Sequence, residues 1–232
     1  MRDLLEIIKL DDLTSLQDFQ KFCFSLSGAE THEEFSENVQ NLQVQDKRYI
    51  GNLQNKIVAS SEFYEITKDL ALRSLAAKLM DVELQDIKII FPFFRIDLPK
   101  EFKEEEEKIS LPWHQEAGYY LAKGDCTPDS IVMSIALHDC NNENGAIHIG
   151  CKMKEEVLKH KSFYMDKNQK KHFRVECAEP KESMIAETKF GQVVAFDFKR
   201  PHRSGINRSN LVRLTLLLRA SSKFEVAQFL NH

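Results

Sequence analysis

The spacing of apolar residues changes near residue 87, and this change limits the possible folds more strongly than any other feature of the sequence. Upstream, apolar side chains recur near every third or fourth position, as in residues 57–83, which predicts amphipathic helices. Leu4, Leu5, Ile7 and Ile8 fall at similar intervals, so the helical part is expected to begin close to the first residue. Between residues 87 and 96, β-branched and aromatic residues crowd a short run, which predicts a buried strand.

Short strand-like runs continue along the rest of the sequence, separated by turns that contain Gly, Asn or Pro. They occupy residues 110–120, 130–139, 145–149, 192–198 and 211–219. Helices followed by many short strands predict a mainly β fold with α: a double-stranded β-helix (jelly-roll, cupin-like) core with N-terminal helices packed on one sheet.

The length of 232 residues fits one domain, because a single β-barrel domain can run to roughly 200–250 residues. We therefore expect one domain over residues 1–232, with a helical N-terminal part over 1–86 and a β core over 87–222. Residues 151–190 are polar, rich in Lys and weakly patterned, so they are expected to form an insertion between strands whose role stays open.

The composition narrows the partners and the compartment. A formal net charge of −4 gives no electrostatic reason to expect nucleic acid or an anionic membrane surface. Five cysteines without a CxxC pair argue against a disulfide framework and favour reduced thiols. No apolar run approaches the ~20 residues that a membrane span needs. These features favour a cytoplasmic protein, and they leave the oligomeric state open.

His114 and Glu116 are the first candidate metal ligands. On a strand, residues two apart project to the same side, so an imidazole nitrogen and a carboxylate oxygen would point together. Such a pair is weak evidence alone, because it occurs by chance and a metal would need at least one further protein donor.

A strand, turn and strand over residues 191–219 provide the next candidates. If the chain folds back as a hairpin centred between Asn207 and Arg208, His202 lies opposite Arg213 on one face. Thr215 would share that face, whereas Arg219 lies too far along the strand to compete with Arg213.

Two histidines and one carboxylate on one face of an iron leave three positions, two for a chelating 2-oxo acid and one for dioxygen. A guanidinium beyond the iron could then bind the distal carboxylate of 2-oxoglutarate through two hydrogen bonds, and a Thr215 hydroxyl could add a third.

Together, His114-Gln-Glu116, Asn144-Gly145, the run from His202 to Ser209, and Arg213 resemble the phytanoyl-CoA dioxygenase family over roughly residues 95–220. The resemblance implies Fe(II) as the metal, 2-oxoglutarate and O2 as co-substrates, and His114, Glu116 and His202 as metal ligands. It also implies that Arg213, eleven residues after His202, binds 2-oxoglutarate, with Arg95 as a further basic candidate.

The sequence departs from the family pattern at two places. Glu116 stands where Asp is commoner, and Ile-Gly-Cys-Lys at residues 149–152 replaces the family's Pro-Gly-Ser-His. A carboxylate at position 116 also argues against the halogenating relatives, which leave that iron position to chloride.

We expect an Fe(II)- and 2-oxoglutarate-dependent dioxygenase that hydroxylates, or otherwise oxidises, an unactivated C–H bond of a small molecule, with release of succinate and CO2. One alternative is a cupin-like metal-dependent binding or hydrolytic protein that does not use 2-oxoglutarate. A second is a catalytically silent relative that serves as an interaction module. The identity of the substrate is beyond the sequence, because pocket walls come from variable loops.

Overall fold

The computed structural model describes residues 3–99, 111–121, 130–152, 157–167 and 170–222, and the structural statements below concern these ranges. Within them, no helix combines the length and the apolar character needed to cross a membrane. The N-terminal helices are α1 (Thr14–Ser25), α2 (His32–Gln45), α3 (Tyr49–Val58), α4 (Ser61–Thr67) and α5 (Leu70–Met80), and a short α6 (Glu116–Leu121) follows later.

Polar side chains begin three of these helices. The Thr31 hydroxyl accepts a hydrogen bond from the Glu34 backbone, and the Glu34 side chain accepts one in return, which forms a capping box for α2. Ser60 and Asp69 cap α4 and α5 in the same position. Helix formation over residues 57–83 thus follows local signals that the sequence displays.

The described strands form antiparallel sheets. The largest sheet has the order β1-β8-β3-β10-β2, the second has the order β7-β4-β9, and β5 pairs with β6 as a separate hairpin. The strands are β1 (Leu5–Lys9), β2 (Ile87–Asp97), β3 (Ile131–Ala136), β4 (Ile147–Gly150), β5 (Lys161–Lys167), β6 (Lys170–Glu176), β7 (Ser183–Ala186), β8 (Gln192–Asp197), β9 (His202–Arg203) and β10 (Arg213–Ser222).

The five-stranded sheet has a different environment on each face. Leu214, Leu216 and Leu218 of β10 are buried in the core formed with the helices. Arg213 and Thr215, which alternate with them, line a cavity on the opposite face. A smaller apolar cluster joins β3 and β8 to β4 and β7, so the second sheet packs on that opposite face. This arrangement confirms the predicted β core with helices on one sheet.

The first apolar run is a strand, so the prediction of a helix at residues 4–8 is wrong. Leu5 pairs with Phe196 and Ile7 with Val194 of β8, so that β1 forms the edge of the large sheet. A run of four or five apolar residues has too few periods to separate helix from strand. Here the open edge of β8 supplies backbone hydrogen-bond partners, and these decide the conformation.

The predicted hairpin between His202 and Arg213 is also wrong. His202 pairs with Ile149 of β4, whereas Arg213 pairs with Asp97 of β2, so the two residues belong to different sheets. Between them, the Asn207 side-chain amide donates to the backbone carbonyls of Asp97 and Leu211, at 3.1 and 2.7 Å. The turn-like residues therefore form a crossover between sheets, because non-local strand pairing outweighs local turn chemistry.

Candidate metal centre

Three predicted ligands converge in the interior. His114, Glu116 and His202 each offer one ligand atom, and these atoms lie within 4.8 Å of one another. All three residues are buried, and the Nε2 atom of His202 lies 3.9 Å from Oε1 of Glu116. Ligand atoms at such distances need only small side-chain rotations to meet around one ion.

The backbone brings these ligands together by a route that the sequence did not predict. Residues 114–116 do not form a continuous strand: His114 makes a single bridge to His202, and α6 begins at Glu116. In that bridge, each histidine donates its backbone N–H to the carbonyl of the other at 2.9 Å. The expected alternation along a strand is therefore wrong, although His114 and Glu116 do point to one centre. Residue 110, where the predicted run began, lies outside the described residues.

Gln115 lies between His114 and Glu116 in the sequence, and its hydrogen bonds to other segments hold this part of the backbone in place. Its side chain is fully buried, where it accepts the Leu158 N–H at 2.7 Å and donates to the Lys199 carbonyl. Its own backbone N–H donates to Nε2 of His160 at 3.1 Å. Sequence reasoning missed Gln115 and His160, because no local pattern reveals contacts to residues more than 40 positions away.

Both histidines are held with Nε2 towards the centre. Nδ1 of His114 donates to the Pro112 carbonyl at 2.7 Å, and Nδ1 of His202 donates to the Arg200 carbonyl at 3.0 Å. A donating Nδ1 leaves the lone pair of a neutral ring on Nε2, the atom available to a metal. Burial lowers the pKa of His114 to about 3, with His202 adding to the shift, and burial also lowers the pKa of His202. Both rings are therefore neutral near pH 7.

Arg219 forms an ion pair with Glu116, the third candidate ligand. Its Nε and Nη2 donate to the two oxygens of Glu116 at 3.0 and 2.9 Å. Burial alone would raise the pKa of the Glu116 carboxyl, but the Arg219 guanidinium, with smaller contributions from His114 and His202, more than offsets this effect and lowers the pKa to about 2. Arg219 was not predicted to take part in the site, because only the folded strand brings it to Glu116.

These donors fit a divalent transition metal. Two neutral imidazole nitrogens and one ionised carboxylate on one face form the ligand set that non-haem iron(II) oxygenases use. Hydrogen bonds that orient each imidazole from behind are the usual support of such a set. The buried, unprotonated donors therefore match the metal that the sequence predicted.

A second charged cluster occupies the same cavity. The Asp97 carboxylate contacts Nη2 of Arg95 at 2.8 Å and Nη2 of Arg213 at 2.7 Å. Arg213 also donates to the Gly145 carbonyl, while its buried Nε has no hydrogen-bond partner among the described residues. Two guanidiniums thus share one carboxylate, and the cluster keeps a positive charge and an unused donor. Thr215, buried beside them, pairs with Arg95 across the strands.

The cavity that joins both clusters has a volume of about 660 Å³. Arg95 and Arg213 line it together with the three candidate metal ligands. Phe91 and Phe93 also line it, and both remain partly exposed. The cavity therefore combines a cationic region, a possible metal position and apolar wall, the usual make-up of a small-molecule site.

Solved structures of similar fold include a non-heme epimerase, a non-heme monooxygenase and a protein solved with 2-oxoglutarate. The non-heme alpha ketoglutarate dependent epimerase SnoN from nogalamycin biosynthesis has a TM-score of 0.61 and 12% identity, over 95% of this chain and 79% of its own. The non-heme monooxygenase ThoJ has 0.59 and 14%, over 93% and 74%. EctD from S. alaskensis, solved with 2-oxoglutarate and 5-hydroxyectoine, has 0.57 and 14%, over 95% and 73%. At these identities the similarity concerns the fold, and it confirms the predicted fold class.

The family comparison is more specific. No curated protein sequence matches the chain. The sequence profile of the phytanoyl-CoA dioxygenase family, however, matches residues 97–215, just over half of the chain. That range includes His114, Glu116, His202, Arg213 and Thr215, whereas Arg95 lies just before it. The chain belongs to the phytanoyl-CoA dioxygenase family of Fe(II)- and 2-oxoglutarate-dependent oxygenases.

Proposed function

We propose that this protein is a dioxygenase that hydroxylates an unactivated C–H bond of a small-molecule substrate and releases succinate and CO2. One observation carries the proposal: His114, Glu116 and His202 meet in the cavity that also contains the Arg95–Asp97–Arg213 cluster. A metal position and an anion position in one cavity are what an oxygenase of this family needs.

In this proposal, Nε2 of His114, Nε2 of His202 and a carboxylate oxygen of Glu116 hold iron(II) on one face. The bonds from Nδ1 to the Pro112 and Arg200 carbonyls keep both rings in the ligating tautomer. When bound, iron would couple the oxidative decarboxylation of 2-oxoglutarate by O2 to the oxidation of the substrate C–H bond. The buried position of the ligands limits access of bulk water to the reacting atoms.

Arg213 would bind the distal carboxylate of 2-oxoglutarate, with the Thr215 hydroxyl and Arg95 assisting. The unpartnered, buried Nε of Arg213 supports this role, because a carboxylate would supply the missing acceptor. The two guanidiniums carry two positive charges against the single negative charge of Asp97, and this excess attracts an anion. The net charge of −4 supports a small molecule rather than nucleic acid as the substrate.

A cytoplasmic location is part of the proposal. The described cysteines, Cys23, Cys140, Cys151 and Cys177, are free thiols, which suits a reducing compartment. Cys126 lies outside the described residues.

The test uses 2-oxoglutarate itself, because the substrate is unidentified. Calorimetry without oxygen measures binding of 2-oxoglutarate to the Fe(II)-loaded protein, and succinate release is then followed in air with ascorbate. We expect His114→Ala to lose metal binding and succinate release. Arg213→Ala should retain the metal but bind 2-oxoglutarate roughly 30-fold more weakly or worse, since a charge-assisted hydrogen bond contributes about 2 kcal/mol or more.

Arg208→Ala is the matched control, because this arginine is exposed in the crossover and does not line the cavity. Full succinate release by the His114 or Arg213 variant would contradict the proposal. Tight zinc binding by the unmodified protein, without measurable affinity for 2-oxoglutarate, would instead favour the cupin-like alternative.

A further inference from the structure

Arg219 uses all three of its side-chain nitrogen atoms to contact a candidate metal ligand and the backbone of β2. Its fork donates to both oxygens of Glu116, and its Nη1 donates to the Phe91 carbonyl at 2.6 Å. The Arg219 side chain is 14% exposed and the Glu116 side chain 6%, so water screens this ion pair weakly. The guanidinium is thus fixed at one edge by backbone and at the other by the carboxylate.

An irregularity in β2 creates the backbone half of this contact. The pairing of β10 with β2 shifts between Leu217 and Arg219, so that Phe91 and Pro92 lie opposite Leu218 alone. Phe91 adopts a left-handed φ of 44°, which L residues with large side chains rarely adopt. Bulges of this kind redirect groups beside active sites. Here the bulge allows the Phe91 carbonyl to meet Arg219.

The longer side chain at position 116 explains why a contact with Arg219 would help metal binding. In the family, Asp is the commoner residue at this position. Glu has one more rotatable bond than Asp, so its carboxylate loses more orientations when it binds a metal. A carboxylate offers about four lone-pair directions, and a guanidinium fork takes only two of them. The other directions, on the side of His202, stay open to a cation.

We propose that Arg219 is a positioning residue that holds the Glu116 carboxylate in its metal-binding orientation and so compensates for Glu in place of Asp. The inference rests on the proposed function, because it assumes that Glu116 is a ligand. Arg219 acts through Glu116 and need not touch the metal.

Calorimetric titration of the metal-free protein with Co(II) tests this role without turnover. We expect Arg219→Gln to bind Co(II) about 10- to 100-fold more weakly, the usual effect of removing a partner that orients a ligand. Arg219→Lys, which keeps the charge but lacks the fork, should lie between the two. Arg73→Gln is the control, because Arg73 donates to backbone carbonyls of Leu84 and Ile87 outside the cavity, and it should bind Co(II) like the unmodified protein.

A double-mutant cycle with Glu116→Asp separates positioning from general support of the fold. We expect the shorter carboxylate to lose its contact with Arg219 when it binds the metal, so Arg219→Gln should weaken Co(II) binding in that background about threefold or less. Visible absorption of bound Co(II) should differ between the unmodified protein and Arg219→Gln, because the ligand geometry changes. If Arg219→Gln does not fold, the same cycle with Arg219→Lys decides the matter.

The outcomes distinguish this inference from the proposed function. Two results would overturn the role of Arg219 but leave the proposed function standing. One is unchanged or tighter Co(II) binding by Arg219→Gln, and the other is an equal loss of affinity with Glu116 and with Glu116→Asp. Failure of the unmodified protein to bind Co(II) would overturn both.

Discussion

At the scale of single residues, two carboxylates in the cavity each form an ion pair with an arginine from a distant part of the chain: Asp97 with Arg213, and Glu116 with Arg219. Asp97 is 8% exposed, and it lies between the guanidiniums of Arg95 and Arg213. Removing one partner of a buried ion pair is far more destabilising than removing an exposed pair, since the remaining charge stays desolvated. Asp97 therefore stabilises the fold and keeps both arginines in place.

Asp97→Asn should lower the free energy of unfolding by about 3 kcal/mol in the absence of 2-oxoglutarate. It leaves the buried guanidinium of Arg213 and the part-buried guanidinium of Arg95 without this counter-charge, which the distal carboxylate of 2-oxoglutarate would then supply. Saturating 2-oxoglutarate should therefore stabilise the variant more than the unmodified protein. Urea unfolding with and without 2-oxoglutarate measures both effects.

Asp18→Asn provides the control for Asp97→Asn. Asp18 pairs with Lys21 at 3.9 Å on the surface, where both side chains are more than 70% exposed, so its loss should change stability by less than about 0.5 kcal/mol. An identical response of Asp97→Asn and the unmodified protein to 2-oxoglutarate would show that the cluster does not receive this ligand.

Residue types and spacing in the sequence pointed to the three candidate ligands and to Arg213, whereas nothing in the sequence pointed to Asp97 or Arg219. Asp97 is 116 residues from Arg213 in the chain, and Arg219 is 103 residues from Glu116. An isolated Asp or Arg on a strand carries no sign of its partner. Such contacts follow from strand pairing, which local patterns do not determine.

At the scale of elements, the crossover between β9 and β10 packs closely on the start of β4. Gly205 lies against Gly145 and Ala146, and a Cβ atom at Gly205 would stand 2.2 Å from the Ala146 carbonyl oxygen. Gly145 itself has a φ of 87°. Its carbonyl accepts a hydrogen bond from Arg213, so this contact also supports the proposed anion position.

Gly205→Ala should therefore destabilise the protein by roughly 3 kcal/mol, the upper part of the range for overpacking, because backbone atoms must move. It should also weaken 2-oxoglutarate binding through displacement of Gly145. Thermal unfolding and calorimetry test the two effects. Gly51→Ala is the matched control: Gly51 lies within α3 with no atom near its Cβ position, so the same substitution should stabilise by up to about 1 kcal/mol. Equal stability of the two variants would contradict this account.

The same crossover explains where prediction from sequence failed. The Gly- and Asn-containing run after His202 has the composition of a tight turn, and a hairpin was the natural interpretation. In the structure Gly205 serves close backbone packing instead, and Asn207 caps carbonyls of two segments. Among the described residues, five of the ten strands lie where β-branched and aromatic residues predicted strands, namely β2, β3, β4, β8 and β10, whereas the other strands and all strand partners required the assembled fold.

At the scale of the whole molecule, the helical layer and the large sheet meet in one core beside the proposed site. His32 of α2 and His138, just after β3, stack with ring centroids 4.3 Å apart. His32 Nε2 donates to the Val212 carbonyl at 2.7 Å, and His138 Nε2 accepts the Leu214 N–H at 3.1 Å. The two rings thus join the helices to the strand that carries Arg213.

This junction should make stability depend on pH. Burial lowers the pKa of His138 to about 4, and the neighbouring His32 and Arg213 add to the shift, while Asp139 opposes it. Burial also lowers the pKa of His32. A group whose pKa is lower in the folded state is protonated first in the unfolded chain. Stability from His138 is therefore complete above about pH 6.5 and is lost as the pH falls towards 4.

Each pH unit in this window is worth at most about 1.4 kcal/mol per group, and the unfolded histidine is only half protonated at pH 6.5, so His138 should account for about 1.5 kcal/mol between pH 6.5 and 5. His138→Gln removes the titrating ring, and its free energy of unfolding should fall over that interval by about 1.5 kcal/mol less than that of the unmodified protein. Urea unfolding at a series of pH values gives this difference in slope, which is independent of any stability lost by the variant at pH 7. The histidines outside this stacked pair titrate in both proteins and cancel in the comparison. Parallel curves would mean that the pKa of His138 is the same in the folded and the unfolded chain, which would contradict its burial between the helical layer and the sheet.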